Sequence, residues 1–127
     1  MNKRVLSIAQ MENLERLGIN TSNASMCYVF SEESEWKLCI NDNNWYEVSG
    51  KKVIPTFTLH DILEILPKEI YGNCLALELD YCYIEYYYIH YEETCSWKSI
   101  DFNIEEIMDG VYEMLLWVIE KGYLKTK

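Results

Sequence analysis

The spacing of apolar positions changes several times along this chain, and each change marks a new element. Near the C-terminus, Ile104, Ile107, Met108, Val111, Leu115, Val118 and Ile119 fall on one helical face. That period predicts an amphipathic helix. Asn103 marks its start as a cap, with Glu106 three residues on and Phe102 placed to staple onto Ile107. The same design occurs twice more: Ser7 with Gln10 and the pair Leu6–Met11, then Thr58 with Asp61 and the pair Phe57–Ile62. Asp61 is shorter than the usual Glu or Gln, so it is expected to act mainly through the helix dipole. Gly18 and Gly122 are left-handed stop residues, and Pro67 closes the second helix after Leu66.

Between the helices the period falls to two. Met26, Tyr28 and Phe30 alternate with Cys27 and Val29, and Trp36, Leu38 and Ile40 alternate with Lys37 and Cys39. Asn41 to Asn44 is a turn signal, after which Trp45 to Val48 is predicted to return as a third strand. Beyond the second helix, Leu75, Leu77 and Leu79 alternate with Ala76, Glu78 and Asp80. A run from Tyr83 to Tyr91 follows, and then a strand over 94–98. The predicted order is αβββαβββα. Short connections make both strand triplets antiparallel meanders. The expected fold is α+β, a single domain over 1–127, with three helices on one face of a sheet of about six strands in two layers.

Charge narrows the partners. The 127 residues include 21 acidic and 11 basic ones, for a formal net charge of −10. An acidic chain is poorly matched to phosphates, so direct nucleic-acid binding and anionic membrane surfaces are disfavoured. The longest apolar run, Met114 to Ile119, falls far short of a membrane span of about 20 residues. Residues 1–4 begin with basic character, but no apolar stretch follows as a secretory signal would require. Five widely spaced cysteines, without a Cys-x-x-Cys, predict a reducing, cytoplasmic setting rather than a disulfide framework.

Leu6-Ser7-Ile8, Thr21-Ser22, Ala24-Ser25-Met26-Cys27, Phe57-Thr58-Leu59, Asp61-Ile62-Leu63, Leu66-Pro67-Lys68 and the ending Tyr112-Glu113-Met114-Leu115, Trp117, Ile119-Glu120, Gly122-Tyr123 are also informative together. With these motifs the chain resembles small acidic proteins of Bacteroides-type gut bacteria and their phages or mobile elements. The resemblance runs over almost the whole chain. Its motifs are caps, turns and a helix face, so it implies a cytoplasmic, mobile-element setting and carries no chemistry across.

Two features stand out as candidate contact sites. On a strand, Tyr83, Glu85, Tyr87, Ile89 and Tyr91 share one face, while Cys82, Ile84, Tyr86, Tyr88 and His90 share the other. If helices cover one face, the other leaves tyrosines available to a partner. Tyrosines also make ordinary cross-strand pairs in any sheet. The third helix has an acidic back of Glu105, Asp109 and Glu113, and the next step of four reaches Trp117, an aromatic opposite the apolar stripe that either marks a contact site or packs on the C-terminal tail. Tyr83, Tyr87, Tyr91 and Trp117 are therefore the candidate partner-binding residues.

Catalytic and cofactor signals are weak. Cys82, His90 and Cys95 fit no compact zinc spacing. The same residues make only a nominal Cys–His nucleophile pair. The glycines are isolated, so no phosphate-binding loop is present. No cofactor is expected. The favoured expectation is a non-enzymatic module that binds a protein partner or a second copy of itself. One alternative is an acidic decoy that occupies a nucleic-acid-binding enzyme. The other is a small-ligand binder or an enzyme with no recognisable motif.

Overall fold

The computed structural model describes residues 4–30, 35–42 and 52–125. The chain is mixed α+β, with three α-helices and seven strands among the described residues. The strands form two antiparallel sheets, of three and four strands, rather than one. Two compact units are distinguished, Arg4–Asp61 and Ile62–Lys125.

The first unit opens with α1 (Ile8–Arg16), which begins as predicted. Ser7 Oγ accepts from the Gln10 amide at 3.1 Å, and Gln10 Oε1 accepts from the Ser7 amide at 2.9 Å. Two orphan amides are thereby satisfied reciprocally. The helix ends in a paired C-terminal motif. Gly18, at φ 93°, donates to Glu15, and Ile19 donates back to Leu14. Only a left-handed residue allows both bonds. Leu14 and Ile19 are both buried.

Strands β1 (Met26–Phe30), β2 (Trp36–Ile40) and β3 (Val53–Thr56) follow. The expected Trp45–Val48 strand lies outside the described residues. The third strand is β3, and it pairs on the far side of β1, giving the order β2-β1-β3 in place of a meander. Pro55 in β3 argues against a central strand, and among the described residues β3 is an edge, where a missing amide costs nothing. The segment before α1 closes the unit. The Leu6 amide donates to Phe57, and the Leu6 carbonyl accepts the Thr56 hydroxyl at 2.6 Å and the Tyr28 hydroxyl at 3.0 Å. Leu6, Met11, Leu14, Cys27, Val29 and Phe57 are buried.

Helix α2 (Leu59–Ile65) begins at Thr58. Here the expectation for Asp61 is corrected. Its carboxylate accepts the Thr58 amide at 3.0 Å while Thr58 Oγ1 accepts the Asp61 amide at 3.2 Å, a complete reciprocal box. Asp61 also accepts the Ser25 amide at 2.9 Å and the Ser25 hydroxyl at 2.5 Å. The short side chain suffices because it grips two segments at once.

The second unit carries β4 (Glu69–Ile70), β5 (Asn73–Glu78), β6 (Tyr83–His90) and β7 (Glu93–Asp101), paired in sequence order as a true meander. The two-residue strand β4 is too short to leave a periodic signal. Helix α3 (Ile107–Glu120) lies against β6 and β7. It buries Met108, Gly110, Val111, Met114, Leu115 and Val118. Ile104, assigned to that face from the sequence, is instead exposed, because residues 104–106 form a tighter 3₁₀ turn before the α-helix starts. Asn103 makes no side-chain cap; its carbonyl accepts the Glu106 amide at 2.7 Å. Phe102 lies against Gly110, where an added Cβ would stand 2.6 Å from the ring.

Candidate protein-binding surface

Strand β6 positions the tyrosines, and its register fixes their directions. Ile84 and Tyr86 are fully buried on the side facing α3, and the Tyr86 ring stands 6.3 Å from that of Trp117. The Tyr86 hydroxyl donates to the Pro67 carbonyl at 2.8 Å, and burial pushes its phenol well above the ordinary range. Alternation then puts Tyr83, Glu85 and Tyr87 on the opposite face. Their Cα partners there are Glu78 and Asp101 for Tyr83, Ala76 and Ser99 for Glu85, and Cys74 and Ser96 for Tyr87. Glu85 is buried, while Tyr83 and Tyr87 are half-buried. This face is acidic. Loss of water around the Tyr83 phenol, then repulsion from the Glu85 and Glu78 carboxylates, raises its pKa.

Tyr91 occupies neither face. It leaves the strand and forms, with Glu92, the two-residue turn between His90 and Glu93. Both turn residues have positive φ, 49° for Tyr91 and 67° for Glu92. Such a turn normally selects Asn-Gly, because a Cβ crowds the backbone there. Tyr71, before Gly72, repeats this conformation between β4 and β5, and Cys82 adopts it before β6. The loop ahead of β6 thus turns without glycine. Strand β5 pairs with β6 only as far as Tyr87, so the β6–β7 hairpin continues beyond it as a two-stranded arm. Tyr88, Ile89 and Tyr91 on that arm are exposed, Tyr91 at 88 %.

Trp117 lies elsewhere. It is half-buried on the α3 side of the sheet, so it does not join Tyr83 and Tyr87 in one surface. Three residues beyond the buried Met114, it borders the apolar stripe rather than opposing it. Its ring is 5.5 Å from Trp97 and 5.4 Å from Tyr123, which are themselves 5.7 Å apart. Tyr71 meets Tyr123 edge-on at 5.6 Å, and Lys98 Nζ lies 5.5 Å from the Trp117 ring.

Sequence reasoning missed Trp97, Tyr123 and Tyr71. Tyr123 could have been found. Gly122 reverses the chain at φ 77°, and the Tyr123 amide donates back to Val118, which places the following side chain against the last turn. Trp97 could not. Tyr86 pairs with Lys98 but Tyr87 pairs with Ser96, so Trp97 is the extra residue of a β-bulge. Bulges re-aim side chains without a local composition signal.

Strand β6 does not bring the nominal set of Cys82, His90 and Cys95 together as a whole. Cys82 precedes β6 and His90 ends it, a separation of roughly 26 Å at about 3.3 Å per residue. Among the described residues no group of three or more His, Cys, Asp or Glu side chains is placed to hold a metal ion. Among them, also, no helix is long and apolar enough to cross a membrane.

No protein-family model, curated protein or solved structure matches this chain. Its own surface must therefore carry any functional argument.

Proposed function

We propose that this chain is a protein-binding module for a basic partner segment, working in the bacterial mobile-element setting that the sequence resemblance implies. The surface is the four-stranded sheet's face opposite α3, with Tyr83 and Tyr87, together with the β6–β7 arm ending at Tyr91. The observation that carries this reading is the arm tip. A solvent-exposed tyrosine occupies a left-handed position that Asn or Gly would fill with less strain. Strained, exposed aromatics of this kind concentrate at ligand contacts. The acidic surroundings of Tyr83 and the net charge of −10 favour Lys- or Arg-rich partners. Trp117, held in its aromatic cluster, braces the sheet from behind and is assigned no partner contact.

The test is affinity capture of the tagged chain from host lysate at low and moderate salt, followed by reconstitution with the purified partner. Substituting Tyr83, Tyr87 and Tyr91 by Ser is expected to abolish the reconstituted complex; undiminished binding by that variant would remove the proposal. A complex that dissolves on adding salt and competes with DNA would transfer it to the decoy reading.

A further inference from the structure

A second candidate site, unrelated to the tyrosine surface, lies within the unit Arg4–Asp61. A cleft of about 290 Å³ opens between α1 and the three-stranded sheet. One wall comes from α1. Ile8, Glu12 and Glu15 recur there at steps of four and three, so they form one stripe along the helix. The other wall comes from the sheet, through Trp36, Lys52 and the β3 residues that follow Lys52. The pairing explains why they meet. Phe30 is the Cα partner of Trp36 and donates its amide to the Lys52 carbonyl, so the three residues form one row across β2, β1 and the start of β3. The Trp36 ring is propped edge-on against Phe30, centroid to centroid 5.1 Å.

The chemistry of this lining is dipolar. Two carboxylates stand on the helix side, and one ammonium stands on the sheet side beside the Trp36 indole and the aliphatic residues of β3. Glu12, Glu15 and Lys52 are all exposed, so each is reachable from solvent. Glu15 makes a long contact of 3.4 Å with the Thr21 hydroxyl, which fixes its wall without neutralising it. The volume is at the small end of the range for ligand pockets, which favours a compact solute. A simple cation would leave Lys52 repelling it, and a simple anion would face two carboxylates.

We propose that this cleft binds a small zwitterion of the amino-acid class. The ligand's ammonium meets Glu12 and Glu15, its carboxylate meets Lys52, and its apolar side chain lies against Trp36 and Ile54.

Isothermal titration of the full chain with free L-leucine and L-phenylalanine tests this, alongside their methyl esters and N-acetyl derivatives. Free amino acids are expected to bind, and either capped form to bind about tenfold more weakly or worse, since each loses one charged hydrogen-bonding partner. Lys52→Met should weaken the free amino acid by a similar factor while leaving the methyl ester unchanged. Glu12→Gln with Glu15→Gln should do the same with the N-acetyl form as its insensitive control. These side chains are exposed, and far-UV circular dichroism verifies that the variants fold. No heat from either amino acid up to about 10 mM would overturn the proposal. So would methyl esters binding as tightly as the free acids, which would mark the cleft as a site for plain cations.

Discussion

Cys27 and Cys39 face each other directly across β1 and β2, as Cα partners in the antiparallel ladder. Partners in such a ladder are separated by about 4.5–5.5 Å, within the reach of a disulfide. Cys27 is fully buried and Cys39 half-buried, and both are free thiols. Burial, then the proximity of Cys39 and Asp42, pushes the Cys27 thiol up. Hydrogen peroxide should therefore act first on Cys39, giving a sulfenic acid, after which the Cys27 thiol attacks that sulfur and water leaves. Mass spectrometry after peroxide treatment is expected to show loss of two hydrogens, mapped to a Cys27–Cys39 link. Cys39→Ser should prevent it. A linkage through Cys74, Cys82 or Cys95 instead would contradict the assignment.

Asp61 supplies a pH dependence with a definite sign. Burial alone would raise its carboxyl, but hydrogen bonds from Ser25 and Thr58 outweigh that and hold it below the ordinary value. A depressed folded pKa adds stability that is complete above the unfolded value of about 3.9 and is lost as pH falls through the folded one. Asp61→Asn should cost about 1 kcal/mol near neutrality, the usual worth of a cap. Urea titrations of both proteins should converge as pH falls through the depressed folded value, where the native carboxyl protonates too. A gap that stays constant with pH would mean the carboxylate's charge contributes nothing.

Gly110 sits inside α3, where alanine is normally better by about 1 kcal/mol. The opposite outcome is expected here. The new Cβ would meet Phe102 at three carbons, including its Cβ at 2.9 Å, an atom that no change of rotamer removes. Overpacking of this kind costs roughly 1–3 kcal/mol, so Gly110→Ala should lower the urea midpoint. A raised midpoint would mean Phe102 withdraws freely.

Replacing Tyr91-Glu92 by Asn-Gly should raise stability by about 1–2 kcal/mol, because both residues hold left-handed conformations unfavourable to their side chains. Thermal unfolding checks this as an increase of several degrees. If Tyr91 serves partner binding, the same variant should bind less well while melting higher. A variant that gains stability and keeps full affinity would remove the arm tip as support for the binding surface.

The helices were legible because their signals are local. Ser7 with Gln10, Thr58 with Asp61, and the stops at Gly18 and Gly122 are each decided within a few residues. Pairing was less so. Whether β3 joins β1 or β2 depends on contacts distant in sequence, and Pro55 obscured the strand itself. The candidate surface divided in the same way. Alternation correctly separated Tyr83 and Tyr87 from Tyr86, but it carried Tyr91 one residue too far, into a turn whose chemistry contains neither Asn nor Gly at its first position. Trp117 was misplaced because a helical wheel shows which face is charged but not which neighbours come to meet it. Its neighbours Trp97 and Tyr123 arrive through a bulge and a chain reversal.

The bulge at Trp97 also bears on how this sheet tolerates changes in length. Strand β6 has eight residues and β7 has nine, and the surplus is absorbed at one place on a strand that has no further neighbour among the described residues. Deleting Trp97 would therefore leave all other partners of β6 and β7 matched as they are now, removing an indole from the cluster on α3 but no pair from the ladder. The hairpin keeps count in pairs, not in residues, and this single position is where the gene could lose a codon without changing its register.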